Sequence, residues 1–196
     1  MKVGILCEFS GVVRNAFARR GHDAISCDLL PTESPGPHIQ GDCMDKDWVG
    51  FDALICFPPC TYLCSSGWHW IKRQPDRYAK YESALEFVKK LMGIPVAGFA
   101  LENPIGRIST QIRKPDQIVQ PYQFGHDASK ATCLWLRGLP LLRPTDIITP
   151  GKNGKYGNQT PSGQNNLGPS ADRWKLRSLT YSGIADAMAD QWGGAA

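Results

Sequence analysis

Asp52-Ala53-Leu54-Ile55-Cys56-Phe57-Pro58-Pro59-Cys60 is the stretch on which the fold turns. A short apolar run, residues 52–56, stops at two prolines and a cysteine, which is the pattern of a buried strand with a hard end. The prolines fix φ and remove two donors, so the chain leaves the strand stiffly and holds the cysteine in one orientation. A second run, residues 96–101, ends the same way in Glu102-Asn103-Pro104. In an α/β sheet the residues past strand C-termini line the ligand crevice. The two runs therefore predict a cysteine and a carboxylate facing one site.

Outward from these runs, strands and helices alternate. Residues 2–7, 23–27 and 38–40 read as earlier strands, and 117–124 with 132–136 as a further pair. Residues 11–20 form an amphipathic helix with Val12, Val13, Ala16 and Phe17 inward and Arg14, Arg19 and Arg20 outward. Residues 77–92 make the longest helix, with Tyr78, Tyr81, Leu85, Val88 and Met92 on one face, and 178–192 a closing helix. This alternation predicts an α/β protein with a mostly parallel sheet and helices on both faces. Residues 1–136 read as the core, 137–175 as a basic, polar loop for recognition or substrate, and 176–196 as a helix packing back, all in one domain. Residues 150–173 are rich in Gly, Asn, Gln, Ser and Pro and are too polar to form a core of their own.

No apolar run approaches the ~20 residues that cross a bilayer, and residues 1–7 enter a strand with no signal-peptide pattern. The chain is expected to be cytoplasmic and free of membrane. Seven cysteines cannot all pair, which fits reduced thiols. Cys56, Cys60 and Cys64 are evenly spaced, but no C-x-x-C pair accompanies them and no metal is expected. The net charge of +4 hides an uneven distribution. Residues 137–177 hold seven Lys/Arg against Asp146 and Asp172, suiting either a polyanion-binding arm or a solvated loop.

The chemistry follows from residue type. A positioned thiolate adds to an electron-poor carbon, which a thiol does not. A partly buried Glu102 would have a raised pKa and donate a proton, and Asn103 would hold the cysteine loop through backbone hydrogen bonds. At the first strand–helix junction, Glu8-Phe9-Ser10-Gly11 is a small turn that would bring a ligand to helix N-terminal N–H groups. Asp28, ending the second strand, suits a ribose, and Asp42, after the third, an adenine amino group. Trp68 and Trp70 would stack on bases or belong to the core.

Taken in order, Phe9-Ser10-Gly11, Asp28, Asp42, Pro58-Pro59-Cys60 and Glu102-Asn103-Pro104 resemble the motifs of the cytosine-C5 DNA methyltransferase family. The resemblance covers residues 1–110 and implies a Rossmann-like fold binding S-adenosyl-L-methionine. It implies transfer of a methyl group to C5 of a cytosine flipped from DNA, with Cys60 attacking C6 and Glu102 contacting N3 and the exocyclic amine. Phe9, Ser10, Gly11, Asp28, Leu29, Asp42, Cys43 and Pro58 would hold the cofactor, and Pro59, Asn103 and Lys130 the substrate. Residues 177–183 would correspond to the final cofactor motif. The chain departs from the pattern at Glu8, Val13, Pro104 and Thr61-Tyr62-Leu63. Only residues 137–175 are left for the family's target recognition domain. That shortage keeps open a free cytosine nucleotide as substrate or a modified methyl donor; a retired enzyme that binds nucleic acid is a third alternative, against which the presence of both Cys60 and Glu102 argues. The shortage also leaves room for a partner subunit that supplies recognition.

Overall fold

The computed structural model describes residues 1–71 and 73–194. Seven strands form one sheet: β1 (Lys2–Leu6), β2 (Asp23–Asp28), β3 (His38–Gln40), β4 (Ala53–Cys56), β5 (Gly98–Pro104), β6 (Gln117–Val119) and β7 (Thr132–Arg137). Among the described residues six α-helices accompany them: α1 (Val12–Ala18), α2 (Trp68–Ile71), α3 (Pro75–Met92), α4 (Ile108–Gln111), α5 (Arg173–Ser178) and α6 (Ser182–Trp192). The strand order is β3-β2-β1-β4-β5-β7-β6. The first five strands are parallel and β7 runs against both its neighbours. The protein is therefore α/β with a mostly parallel, mixed sheet.

The core follows the two-residue period of the strands. Val3, Ile5, Ala53, Ile55, Ala100 and Leu134 pack on one face with α1 and α6. Leu6, Leu54, Cys56, Phe99, Leu101 and Trp135 pack on the other with α3. Strands buried on both faces read as the near-continuous apolar runs seen in the sequence. The chain builds outward from β1 to β2 and β3, then returns to place β4 on the other side of β1. This reversal opens a crevice at the C-terminal ends of β1 and β4.

Several expectations change. β5 does not stop at Leu101, because its ladder with β7 continues through Glu102↔Leu134, Asn103↔Cys133 and Pro104↔Thr132. Glu102 is thus held inside a strand rather than on a turn. The closing helix starts at Ser182, since Leu179 and Tyr181 are extended and separate it from α5. Arg19 and Arg20 do face outward, pairing with Asp186 and Asp190 of α6. Arg14 does not: it is fully buried. Its guanidinium donates to Ser26, Thr32, Ser34 and Pro35 at 2.8–3.1 Å and knits the proline-rich loop after β2 to the sheet. A helical period cannot reveal a loop that folds back over the helix and supplies acceptors.

The basic segment is also not one arm. Arg137 sits opposite Phe99, at the far end of the sheet from the crevice, and donates to the Met92 and Ile94 carbonyls. Lys175 pairs with Glu33. The polar loop that follows residue 150 is tied to the core by hydrogen bonds instead of a core of its own. Gly157 N–H donates to Asp127, Asn158 and Ser129 exchange two bonds of 2.9 Å, and Tyr156 stacks on Tyr122. Among the described residues no helix is long and apolar enough to cross a membrane.

Candidate active site

Past β4, the Cys60 carbonyl accepts N–H bonds from Leu63 and Cys64, curling the chain into a turn. This turn is sewn to the segment after β5. Arg107 N–H donates to Leu63 O at 2.7 Å, Ser65 N–H donates to Ile105 O at 3.1 Å, and Cys64 bridges Gly106. Gly106 was not singled out in the sequence, yet a Cβ there would collide with the Leu63 carbonyl. Asn103 adds the expected tie, donating from Nδ2 to the Pro58 carbonyl at 2.8 Å. Its Oδ1 is buried without a partner among the described residues. Two loops more than forty residues apart in the chain thus become one rigid wall.

Cys60 and Glu102 meet in a cleft of about 550 Å³, counting its open mouth. Phe9, Ser10, Pro58, Pro59, Asn103 and Lys130 line it too, as does Arg177. Burial pushes the Glu102 carboxyl up, against the pull of Lys130 and of a hydrogen bond from Thr132. Burial, then Cys64 and Glu102, push the Cys60 thiol up, while Lys130 and Arg177 oppose them. Burial thus favours the thiol form of Cys60, and two cations near it oppose that. Lys130 also reaches over the cleft, donating from Nζ to the Arg177 and Leu179 carbonyls at 2.8 and 3.3 Å. Thr132 and the side chain of Arg177 are members of the site that the motifs alone did not reveal.

The first turn departs from expectation. The α1 N-terminal N–H groups are not open to a ligand: the Glu8 carboxylate accepts from Val13 at 2.7 Å and from Arg14 at 3.3 Å. Ser10 donates to the same carboxylate. Gly11 lies at φ 74, and a Cβ there would strike Ser34 and Arg14, so its function is to let the loop pack. Phe9 faces the cleft and touches Trp174 of α5, with ring centroids 6.1 Å apart.

A second cavity of about 850 Å³, again counting its mouth, is lined by Asp28, Leu29, Asp42, Cys43 and Phe87. Cys7 and Pro59 line both cavities, so the two are neighbours at the ends of β1 and β4. Asp28 accepts from Leu30 N–H at 2.9 Å and Asp42 from Met44 N–H at 2.8 Å, which sets both carboxylates in place. Burial pushes the Asp28 carboxyl up. Leu29 is 70% exposed and forms the rim. Cys56 is buried in the sheet core, and among the described residues no group of three His, Cys, Asp or Glu is placed to hold a metal ion. No model of a known family matches this chain, and no curated protein matches it in sequence.

Proposed function

We propose that the protein is a methyltransferase that moves a methyl group from S-adenosylmethionine to C5 of cytosine in DNA, through a covalent adduct between Cys60 and C6. One observation carries this reading: Cys60 and Glu102 line one cleft, and it adjoins a cavity bearing Asp28 and Asp42, with Cys7 and Pro59 lining both. The strand-order reversal beside β1 suits a Rossmann-like S-adenosylmethionine fold, in which a nucleotide lies across the strand ends. An adenosine asks this cavity for acceptors toward its hydroxyls and amine, and for apolar walls around its ring. Asp28 and Asp42 supply the first, Leu29, Cys43 and Phe87 the second. When bound, the donor supplies an electrophilic methyl group.

The protein's own residues do the rest. Lys130 and Arg177 favour the thiolate form of Cys60 against burial. The thiolate adds to C6, and the electron pair of the C5=C6 bond moves into the ring. Glu102, whose carboxyl burial pushes up, donates at N3 and stabilises that charge. C5 then takes the methyl group as its bond to the donor's sulfur breaks, the electron pair staying on that sulfur as a neutral thioether. Loss of the C5 proton to water restores the double bond and expels the Cys60 thiolate, and N3 returns its proton to the Glu102 carboxylate. Ring chemistry of this kind requires the base to be outside the stack.

The test is transfer of labelled methyl from S-adenosylmethionine to DNA, with calorimetry of donor binding alongside. Cys60→Ala should lower transfer by at least ~1000-fold with donor binding intact. Absence of donor binding overturns the reading. Transfer to deoxycytidine monophosphate but not to DNA moves the substrate to the free nucleotide.

A further inference from the structure

Beside the cleft, the segment after Cys60 forms a ridge of aromatic rings and cations. Trp70 and Tyr78 are each 48% exposed. Arg107 lies 4.1 Å from the ring centre of Trp68, and Arg77 5.2 Å from that of Tyr62. The rings form a row, Trp68 against Tyr81 at 5.1 Å and Tyr81 against Tyr78 at 5.7 Å.

The two arginines differ from others in the protein. Arg14, Arg19, Arg113 and Arg137 all donate from their guanidiniums to oxygen acceptors. Among the described residues, Arg77 and Arg107 have no side-chain hydrogen bond or ion pair, and the Nε of each is buried without an acceptor. A buried donor without an acceptor is costly, and such groups call for an explanation. The terminal nitrogens of both guanidiniums also lack partners among the described residues but are not buried, and two such open forks on one ridge point to acceptors that come from outside the chain. Residues 62–80 carry Lys72, Arg73, Arg77 and Lys80 against Asp76 alone, so those acceptors are anionic. Cations alternating with exposed rings match a backbone of phosphates carrying unpaired bases. A duplex hides the base faces that such rings engage.

We propose that this ridge binds single-stranded nucleic acid. Arg77 and Arg107 take backbone phosphates, and Trp70 and Tyr78 stack on bases that flank the one offered to Cys60. The Arg107-to-Leu63 bond fixes the ridge against the Cys60 turn, so a strand lying along it passes the nucleophile. The proposal rests on the cytosine-methyltransferase reading and narrows its substrate to cytosine in a single strand.

The test is fluorescence anisotropy of the full chain with a labelled oligodeoxynucleotide, single-stranded or annealed, across a salt series. The single strand should bind at least ~10-fold tighter than the duplex. Arg77→Gln and Arg107→Gln should each weaken it about tenfold. The double variant should lower the slope of log K against log salt by about 1.4, or 0.7 per phosphate. Trp70→Ala should weaken binding about tenfold with the slope unchanged; its ring is on the surface, so it serves if the arginine variants misfold. Equal or tighter duplex binding overturns the proposal, as does a double variant with wild-type affinity and slope. Competition by deoxycytidine monophosphate as strong as by the strand, nucleotide for nucleotide, also overturns it. Single-strand binding lost in the double variant, with no donor binding in the wild type, leaves the ridge standing and removes the enzyme reading. Transfer to duplex with ridge variants indifferent removes the ridge alone.

Discussion

The two walls of the Cys60 cleft are built on different principles. One consists of the turns after β4 and β5, sewn together by the Leu63, Ser65 and Asn103 hydrogen bonds and backed by the buried strands β4 and β5. The other is α5 and the extended residues after it, and α5 buries no residue at all. It is held by the Lys130 ammonium, the Lys175–Glu33 pair and the Phe9–Trp174 ring contact. The first wall fixes where Cys60 and Glu102 stand. The second brings Arg177 to the cleft and supplies the carbonyls that hold Lys130 over it. Substitutions in the seam of the first should damage geometry and stability, and those in the second should shift only electrostatics.

The sharpest way to break the first wall is Gly106→Ala. The new methyl collides with the Leu63 carbonyl, so the seam between the two turns must part. Misplacement of a reacting group by an ångström can cost about 100-fold in rate. Transfer should fall by about that factor, and stability by roughly 1–3 kcal/mol, as for other overpacked sites. The measurements are turnover and urea unfolding of the variant. Wild-type values for both would show that the seam does not position Cys60.

Glu102→Gln separates function from stability in the same wall. Burial raises the Glu102 carboxyl above its value in the unfolded chain, so the folded state holds its proton more tightly. Unfolding then releases a proton, and stability falls as pH rises from the ordinary carboxylate range to the raised value. Glutamine abolishes that share of the decline. The variant should gain on the order of 1 kcal/mol at neutral pH while transfer drops about 100-fold. Glu8 and Asp28 are raised for the same reason and keep part of the pH dependence. Urea midpoints at pH 5, 6.5 and 8 measure this. A variant that loses stability at pH 8 would mean that Glu102 is held ionised.

The strong wall was legible in the sequence and the weak one was not. Pro58-Pro59-Cys60 and Glu102-Asn103-Pro104 each end an apolar run, and burial on both faces makes such runs visible. The seam between them was hidden, because backbone hydrogen bonds between Leu63, Ser65, Ile105 and Arg107 leave no side-chain pattern. Glu8 reads as part of an open turn, since nothing local says that a carboxylate will bend back onto helix N–H groups five and six residues ahead. α5 escaped for the opposite reason. Its exposed Trp174 and Leu176 carry no apolar stripe, and it owes its place to Phe9, Glu33 and Lys130, all distant in sequence. Periodicity reports which face meets the core, and a strap that touches only a cleft has no such face.

The smallest effect tests the weak wall. Four groups face the Cys60 thiol: Cys64 and Glu102 raise it after burial has done so, and Lys130 and Arg177 lower it. Arg177→Met removes one cation and keeps an apolar stem of similar reach. The thiolate becomes harder to form, so the alkaline rise of Cys60 alkylation should move to higher pH. Because the cleft is open to solvent, screening limits the change to a few-fold in rate at any one pH. Iodoacetamide labelling followed peptide by peptide separates Cys60 from the half-exposed Cys64. Glu102→Gln should move the same curve the other way, since it removes a negative neighbour. Opposite shifts from the two variants would place Cys60 between the charges of the two walls. Shifts of the same sign would mean that α5 does not stay over the thiol in solution, and the second wall would then be a strap that opens.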